Sequence, residues 1–367
     1  MNYEKPSILL SSLILIFAFL SLNSPLIQAQ KRSAPAIQVG AYYFDGWTGQ
    51  TPMHMPRALI DSFPEREPVW GWLTSSPKVL SSQIDAAADA GLSFFSFCWY
   101  YSSNKQGEVI DDPKNHALSL YLKAANKDRL KFCLLVANHQ GHYVEPADWA
   151  KVSKIWLQLF KEPTHLQVNG RPLLIFFSAS SLVSQFGSAQ AVRQAFDSLR
   201  AAAVKSGLPG VTIAACVSPN QDSFKQTQEC GFDLLTGYNY HSAGFKPNIT
   251  NTPIDSMTIA SRRLWDQFKQ SPVPYIPTVT LNWDPRPWAN LNKAYHTSPR
   301  YTGFSSNSVY KDVQMARQWI ERNPDKTPKE KIALLYAWNE YGEGAWLTPS
   351  RSAKDNPLMG IKKALKR

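Results

Sequence analysis

Cysteine is scarce in this sequence, and several short motifs that would indicate a particular chemistry are missing. The 367 residues include four cysteines, and no two of them form a CxxC pair. Neither a zinc site nor a dithiol redox centre is therefore supported. The chain also has no GxGxxG fingerprint, no Walker loop and no GxSxG elbow. Dinucleotide binding, phosphate-loop chemistry and a nucleophilic serine on an elbow consequently have no sequence support.

A long hydrophobic run occurs at the N-terminus and is not repeated later in the chain. Lys5 precedes apolar residues from Ile8 to Leu22, and the small-residue ending Ile27-Gln28-Ala29 follows. This arrangement predicts a cleaved secretory signal peptide over residues 1–29 and a secreted or periplasmic mature chain. An uncleaved anchor is the alternative. Because no second run of spanning length follows, we expect no stable membrane insertion of the mature chain.

Export would place the four cysteines in an oxidising compartment, where they permit three pairings. Cys98, Cys133 and Cys216 lie within runs that we predict as strands. Buried free thiols are therefore at least as well supported as disulfides. The sequence leaves the pairing open.

Acidic residues are outnumbered, because 28 Asp and Glu stand against 39 Lys and Arg, a formal charge of +11. Such a field attracts anionic polysaccharide or an acidic cell surface, although ordinary surface composition also accounts for it. Nucleic acid is a poor candidate partner, since no recognisable binding module is present. Aromatic residues are abundant, with 12 Trp, and such an excess often lines carbohydrate clefts. We expect a glycan or polysaccharide substrate.

Short apolar runs alternate with amphipathic stretches along the rest of the chain. The runs are continuous rather than alternating, which is typical of strands buried on both faces of a parallel sheet. Eight such units predict an α/β fold, a (β/α)8 TIM barrel, forming a single domain over residues 30–367. The predicted strands are Ile37–Phe44, Leu92–Trp99, Lys131–Ala137, Pro172–Phe177, Val211–Val217, Phe232–Gly237, Tyr275–Thr280 and Ile332–Ala337.

The helices between these runs carry their own start and stop signals. Ser76 followed by Pro77 predicts an N-cap and a first helical position, and Gly91 predicts the end of that helix. The stretch after Val217 shows little helical pattern, so we expect a degenerate fifth unit. Further helices are predicted over Asn115–Lys127, Pro146–Phe160, Ser188–Ser206, Ile254–Gln270 and Ser308–Asn323.

A pair of carboxylates follows the last predicted strand. Glu340 and Glu343 lie three positions apart in a turn that contains Gly342 and Gly344, and glycine permits the tight turn that would let both side chains converge on one ligand. Two glutamates on a turn are more commonly solvated or paired with arginine. In an aromatic cleft, however, such a pair is suited to glycoside cleavage, where one group donates a proton and the other acts as base or nucleophile.

The long loops predict which end of the barrel carries the site. Several strand-to-helix loops are long, whereas helix-to-strand connections are short, and the carboxyl ends of barrel strands carry the chemistry in this fold. Stacking rings, amides and phenols cluster at those ends, as a site for hydroxylated rings requires. The candidate substrate-binding residues are Tyr43, Trp47, Trp99, Tyr100, Asn138, His139, Tyr238, Tyr240, His241, Trp283, Asp284, Asn339 and Tyr341.

No metal or other cofactor is expected at this site. His139 and His142 are three residues apart in a loop, but a third ligand is not evident nearby. Asp284 precedes a proline, so it is also explained as a residue that fixes a turn.

Four segments together resemble a known family. The residues Gly40–Phe44, Trp99-Tyr100, Pro277–Val279 with Trp283-Asp284, and above all Trp338–Gly344 resemble the glycoside hydrolase family 99-like group, which includes the WbsX-type proteins. The resemblance covers nearly all of the predicted mature chain in order.

The resemblance implies a (β/α)8 barrel that acts on α-linked mannose-type sugars or related polysaccharide, with retention of configuration and no metal. It also implies a role for each glutamate. Glu340 would take the proton from the neighbouring 2-hydroxyl, so that a 1,2-anhydro sugar forms, and Glu343 would act first as general acid and then as base. Glu343 would need a raised pKa, whereas Glu340 should remain ionised.

The leading hypothesis is therefore an exported, retaining glycoside hydrolase. A WbsX-type glycosyltransferase in polysaccharide biosynthesis is the first alternative. A non-catalytic glycan-binding barrel, in which the carboxylates only accept hydrogen bonds from sugar hydroxyls, is the second.

Overall fold

The structure, a computed structural model, describes residues 1–3, 37–104, 107–290 and 292–365. The chain divides into two compact units, Met1–Pro35 and Ala36–Arg367. The predicted signal peptide falls in the first unit and lies, apart from its first three residues, outside the described residues. Within the described ranges, none of the helices combines the length and the hydrophobicity of a membrane-spanning segment.

All eight predicted strands are present, and they form the wall of a parallel barrel. The strands are β1 Gln38–Tyr43, β2 Phe94–Trp99, β3 Lys131–Val136, β4 Arg171–Phe176, β5 Thr212–Cys216, β6 Leu234–Thr236, β7 Thr278–Thr280 and β8 Ile332–Tyr336. Neighbouring strands pair in the order β6-β5-β4-β3-β2-β1-β8-β7. The ring closes between β6 and the residues just before β7, where Leu235 pairs with Tyr275 and Ile276 N–H donates to the Leu235 carbonyl at 2.8 Å. The predicted (β/α)8 barrel is thus confirmed.

The continuous apolar runs form strands because both of their faces are covered. Phe94 and Cys98 belong to a core inside the barrel, whereas Phe95, Phe97 and Trp99 pack in the layer between sheet and helices. This division follows the two-residue period of a strand, in which successive side chains point to opposite faces. Gly40 has a steric role, because a Cβ at that position would lie 2.3 Å from the ring of Phe94.

The helices surround the barrel, and several begin and end where the sequence predicts. The Ser76 hydroxyl accepts a hydrogen bond from Val79 N–H at 3.4 Å, and Gly91 ends the helix with a φ of 97°, a conformation that favours glycine. The helices are α1 Arg57–Ser62, α2 Pro77–Ala90, α3 His116–Lys123, α4 Trp149–Phe160, α5 Ala179–Phe186, α6 Ala189–Lys205, α7 Gln221–Cys230, α8 Asp255–Gln267, α9 Ser306–Arg322 and α10 Pro357–Leu365.

The prediction of a degenerate fifth unit is wrong, because α7 follows β5. The helix is strongly polar, which hid it from a search for apolar periodicity, but Phe224, Thr227 and Cys230 are buried at three-residue spacing. Asn220 caps it, and its side-chain oxygen accepts a hydrogen bond from Ser223 N–H at 2.8 Å.

The four cysteines are free and buried. Cys98, Cys133 and Cys216 lie in strands β2, β3 and β5, as predicted, and Cys230 is the last residue of α7. Burial raises the pKa of every one of these thiols, to about 12 for Cys133 and about 11 for Cys230. The thiols are therefore protonated at neutral pH and poorly reactive.

Candidate active site

A cavity of about 490 Å³ lies at the carboxyl ends of the barrel strands. Cys98 of β2, Leu135 of β3 and Tyr238, which follows β6, contribute to its wall. Glu340 and Glu343, which follow β8, line the same space. Barrel geometry thus brings together residues from four separate parts of the chain, as expected for a site at this end of the fold.

The two glutamates are carried by a short hairpin. Its strands, Asn339–Glu340 and Ala345–Trp346, pair antiparallel, and a 3-10 turn over Tyr341–Glu343 connects them. Gly344 ends that turn with a φ of 78°. Gly342 is needed for a different reason, because a Cβ there would lie 2.0 Å from the indole of Trp288.

Glu340 is buried and hydrogen-bonded. It is 6% exposed, and its Oε1 accepts a hydrogen bond of 2.5 Å from the Tyr238 hydroxyl. Burial raises the pKa of Glu340 to about 7, and the bond from Tyr238 opposes part of that rise. A hydrogen bond to the ionised form favours ionisation, so Tyr238 supports the carboxylate.

Glu343 has a different environment. Its side chain is half-buried at the cavity wall, and among the described residues no group donates a hydrogen bond to it. Burial alone raises its pKa to about 8. The raised pKa that the resemblance implies for Glu343 thus has a physical cause in burial, but burial also raises the pKa of Glu340, which was expected to remain ionised.

The hydroxyl of Tyr238 is held in place by packing around its ring. The ring lies 5.1 Å from that of Tyr42, 5.3 Å from Phe177 and 4.9 Å from Tyr336, measured between centroids. The Cys98 thiol donates to the Tyr238 oxygen at 3.9 Å. The Tyr238 ring, whose hydroxyl donates to Glu340, is thus packed against three other aromatic rings.

Comparison with known proteins agrees with this architecture. The family model described as glycosyltransferase WbsX matches residues 72–360. The chain belongs to the WbsX family. The predicted resemblance to the WbsX-type, family 99-like group is thereby confirmed. No curated protein matches the sequence.

Solved structures similar to this WbsX-family chain include glycoside hydrolases. The family GH99 endo-α-mannosidase from Bacteroides thetaiotaomicron in complex with bis-tris-propane has a TM-score of 0.62 and 16% identity, over 89% of this chain and 95% of that chain. A second structure of a GH99 endo-α-mannosidase from this organism has a TM-score of 0.61 and 14% identity, with the same coverage. A glycoside hydrolase-like protein has a TM-score of 0.62 and 15% identity, over 90% and 94% of the two chains. At these identities the likeness shows a shared fold.

Three predicted substrate-binding residues of the WbsX-family chain line the cavity, namely Tyr100, His139 and Tyr238. The Lys114 ammonium lies 4.6 Å from the centre of the Tyr100 ring, and it also pairs with Asp112 at 3.2 Å. Burial lowers the pKa of His139, so its imidazole is neutral at pH 7 and can exchange hydrogen bonds with hydroxyl groups.

Two predicted residues face away from the cavity. Tyr43 lies 4.9 Å from Phe97 between ring centroids, and Trp99 lies 5.7 Å from Trp156. Both belong to the layer between sheet and helices. The strand alternation explains this placement, because Tyr42 and Cys98, their neighbours in sequence, point into the barrel instead.

Three predicted residues build the base of the glutamate hairpin. The Trp47 indole N–H donates to the Asn339 carbonyl at 3.0 Å, and the Asn339 side chain exchanges hydrogen bonds with the main chain of Phe44. The Tyr341 ring packs 4.7 Å from that of Trp47. Trp47, Asn339 and Tyr341 are fully buried, so they support Glu340 and Glu343 from beneath instead of lining the cavity.

Asn138 and Tyr240 are occupied by contacts with the main chain. The Asn138 side chain donates to the Ser178 carbonyl at 2.7 Å and accepts from its N–H at 3.0 Å. The Tyr240 hydroxyl donates to the Val217 carbonyl at 2.9 Å. Both residues join neighbouring strand ends and do not line the cavity.

His241 and Trp283 stack on each other outside the cavity lining. Their ring centroids are 3.9 Å apart and their planes differ by 14°. Asp284, the next predicted residue, pairs with Arg66 at 2.6 Å and with Arg286 at 2.8 Å. The carboxylate of Asp284 is thus committed to arginines and does not reach the cavity.

Much of the cavity wall was not predicted from the sequence. Trp288 comes from the long loop after β7, and its indole contacts the backbone at Gly342. His142 was considered only as a metal ligand. The first residue after a strand is a sequence signal for the cavity wall, since Phe44 follows β1, Phe177 follows β4 and both line the cavity. The other unpredicted lining residues are Met53, His54, Cys98, Lys114, Leu135, Ala137, Asn292 and Tyr295.

Proposed function

We propose that this protein is a glycoside hydrolase in which Glu343 is the general acid and Glu340 is the base. One observation carries the proposal. Two carboxylates from a single turn line one aromatic cavity at the carboxyl end of a barrel, and their pKa values are raised to different values, about 8 and about 7. Groups whose environments separate their pKa values in this way are suited to acid and base roles at neutral pH.

The proposed reaction has two steps and retains configuration. Glu340 takes the proton of the 2-hydroxyl, the 2-oxygen attacks the anomeric carbon, and Glu343 gives its proton to the departing glycosidic oxygen. The product of this step is a 1,2-anhydro sugar. Water then attacks the anomeric carbon, Glu343 accepts the proton of the water, and the 2-oxygen recovers a proton from Glu340. Two displacements at one carbon restore the starting configuration.

We propose α-linked mannose-type or related polysaccharide as the substrate. The support is the shared fold with two GH99 endo-α-mannosidase structures together with the composition of the cavity wall. Tyr100, Tyr238 and Trp288 offer ring faces, while His139 offers a neutral imidazole. Flat apolar faces beside a few polar groups are suited to bind and orient a sugar.

The second candidate is a glycosyltransferase, which the description of the matching family names. Transfer needs an activated donor, and the two functions differ in that requirement. Turnover that occurs in water with a polysaccharide alone supports hydrolysis, whereas turnover that depends on an added nucleotide sugar supports transfer.

The main experiment is digestion of a panel of α-mannans and bacterial polysaccharides, followed by analysis of released sugars. We expect product release by the wild type, a loss of at least about 100-fold in Glu343→Ala and in Glu340→Gln, and unchanged activity in Glu321→Gln. Glu321 is a suitable control because it lies on α9 and pairs with Arg317 at the surface. Sugar binding without turnover in any variant, wild type included, would favour a glycan-binding barrel.

The proposed role of Glu340 has its own test. A cleavable substrate that lacks the 2-hydroxyl cannot form the 1,2-anhydro intermediate, so we expect no turnover, while the parent substrate reacts. Normal turnover of the 2-deoxy substrate would remove this role from Glu340 and leave hydrolysis itself intact.

Export is proposed from the N-terminal sequence. We propose that residues 1–29 direct secretion or periplasmic transport and are then removed. N-terminal sequencing of the exported protein is expected to begin at Gln30, and a mature chain that begins at Met1 would contradict the cleavage.

A further inference from the structure

Arg66 is a buried arginine in the loop after β1, and it contacts Asp284 in the loop after β7. It is 2% exposed, and its guanidinium lies 4.2 Å from the centre of the Phe63 ring. One terminal nitrogen, Nη2, donates to Asp284 Oδ2 at 2.6 Å. The other, Nη1, donates to the Asp284 carbonyl at 3.1 Å and to the Tyr341 carbonyl at 2.9 Å.

The contact with Tyr341 connects Arg66 to the turn that carries Glu343. Two further bonds hold the same turn from the β7 side. Asp284 N–H donates to the Glu343 carbonyl at 2.7 Å, and the Asn282 side chain donates to the Gly344 carbonyl at 2.6 Å. Three carbonyls of the turn are therefore held by groups more than 50 residues away in the sequence.

The two glutamates differ in how they are positioned. Glu340 belongs to a strand pair and its carboxylate accepts a bond from Tyr238. The Glu343 carboxylate has no such partner among the described residues. Its place at the cavity wall is thus set by its backbone, and Arg66, Asp284 and Asn282 determine the path of that backbone.

The buried charges are arranged to keep this assembly in place. Burial acts to raise the pKa of Asp284, but the bonds and charges of Arg286 and Arg66 together hold it below its usual value. Asp284 is therefore ionised at every pH at which the enzyme is expected to work. Gly344 completes the fit, because a Cβ there would lie 3.0 Å from the Asp284 side chain and 3.2 Å from Arg66 Nη2.

We infer that Arg66 and Asp284 are positioning residues that hold the turn and so keep the half-buried Glu343 carboxylate at the wall of the cavity. This inference rests on the proposed role of Glu343 as general acid. Neither residue lines the cavity, so both act through the turn. An arginine is required because its planar fork satisfies several acceptors at fixed angles, whereas a lysine ammonium keeps the charge without that geometry.

The experiment measures the protonation of Glu343 directly in the full-length protein. Glutamate labelled with carbon-13 at the carboxyl carbon gives one signal per residue, and the Glu343 signal is the one lost in Glu343→Gln. In Arg66→Lys we expect this signal to titrate at least about one pH unit lower than in the wild type, because a looser turn lets water reach the carboxylate. Because lysine keeps the positive charge of Arg66, a shift of the Glu343 titration in this variant cannot come from a lost charge.

Arg351→Lys is the matched control, because Arg351 pairs with Glu67 at 3.1 Å in a neighbouring exposed position and should leave the titration unchanged. An Arg66→Lys protein that folds and titrates like the wild type would overturn the inference. If Arg66→Lys does not fold, Asp284→Glu replaces it, because glutamate keeps the negative charge but changes the geometry of the bonds to Arg66, and the result is interpreted in the same way.

Kinetics separate this inference from the proposed function. On a polysaccharide that the wild type cleaves, we expect kcat of Arg66→Lys to fall at least about 10-fold with KM within about twofold. A normal kcat together with a normal titration contradicts the positioning role alone. Absence of cleavage by the wild type on every substrate contradicts the proposed function, while the titration still decides whether Arg66 positions Glu343.

Discussion

Two carboxylates three positions apart have different neighbours, and the proposed acid and base roles rest on this difference. The Glu340 carboxylate accepts a bond from Tyr238, and the Glu343 carboxylate has no such partner among the described residues. Both line the same cavity, and burial raises the pKa of each. The hydrogen bond therefore opposes part of the rise that burial causes in the pKa of Glu340, and the pKa of Glu343 has no such opposing contribution.

Removing the Tyr238 hydroxyl should change the pH dependence of activity. In the wild type, kcat/KM should rise as the pH passes about 7, where Glu340 ionises, and fall as it passes about 8, where Glu343 loses its proton. In Tyr238→Phe the pKa of Glu340 rises further, so the acidic limb should move up by about one pH unit. Tyr310→Phe on α9 is the control. An acidic limb that stays in place would contradict the role of Tyr238.

Glu343 also links stability to pH. Its folded pKa of about 8 lies above the ordinary value of 4.5, so the unfolded chain loses this proton at a lower pH than the folded chain. The stability from this protonation is fully present below pH 4.5 and is lost as the pH rises through 8. Glutamine has no such proton to lose. The unfolding free energy of Glu343→Gln minus that of the wild type should therefore increase by roughly 1–3 kcal/mol from pH 5 to pH 9.

Urea unfolding at both pH values measures this difference. Glu321→Gln at the surface should show no such change between the two pH values. A Glu343→Gln protein that gains nothing at pH 9 would show that the folded protein leaves Glu343 well solvated.

At the scale of elements, helix caps and close glycine contacts decide local structure. Helix α7 is polar and short, yet Asn220 caps its first turn and three residues on one face are buried. The glutamate hairpin depends on Gly342 in another way, since Trp288 occupies the space that any side chain there would need.

Asn220→Ala should destabilise the protein through α7. The cap satisfies one of the free N–H groups at the helix start, and its loss typically costs about 1 kcal/mol. Lys225→Ala on the exposed face of the same helix is the control and should be nearly neutral. Urea unfolding measures both, and equal stability of the two variants would contradict the importance of the cap.

Gly342→Ala should disturb the hairpin through Trp288. The added methyl group overlaps the indole, so we expect hydrolysis to fall at least about 10-fold in a folded protein. In a Trp288→Ala background the same substitution has no ring to displace and should cost little more. Additive losses in the double variant would show that the two positions act independently.

At the scale of the whole molecule, barrel closure places the ends of β2, β3, β6 and β8 around one cavity. The same closure buries the four cysteines in or beside the sheet. In an exported protein, as proposed, four unpaired cysteines would be unusual, because export normally favours disulfides in small domains. A barrel of this size has a large core and does not need covalent links for stability.

The thiols can be counted without any substrate. We expect four thiols to react with a thiol-specific reagent after unfolding in denaturant without reductant, and very slow reaction in the folded protein, because burial raises the pKa of each. Two reactive thiols or none after unfolding would indicate disulfides.

Much of the fold was predictable because its signals are local. A continuous apolar run indicates a buried strand, and Ser76 with Gly91 marks the two ends of a helix, whatever the rest of the chain does. Helix α7 was missed because its evidence is a capping residue and three buried positions without an apolar stripe. For the candidate site, the shared location of Glu340 and Glu343 at one cavity was predictable because a short motif contains both.

The sequence by itself determined which segments become strands, how many units form the barrel and which turn carries the two glutamates. Only the tertiary structure decided that Tyr238 reaches Glu340, that Trp99 faces the helices and that Asp284 pairs with Arg66, 218 residues away. The physical reason is one of range. Hydrophobic period and capping act between near neighbours, whereas burial, and the pKa shifts that it causes, depend on every segment that surrounds a group.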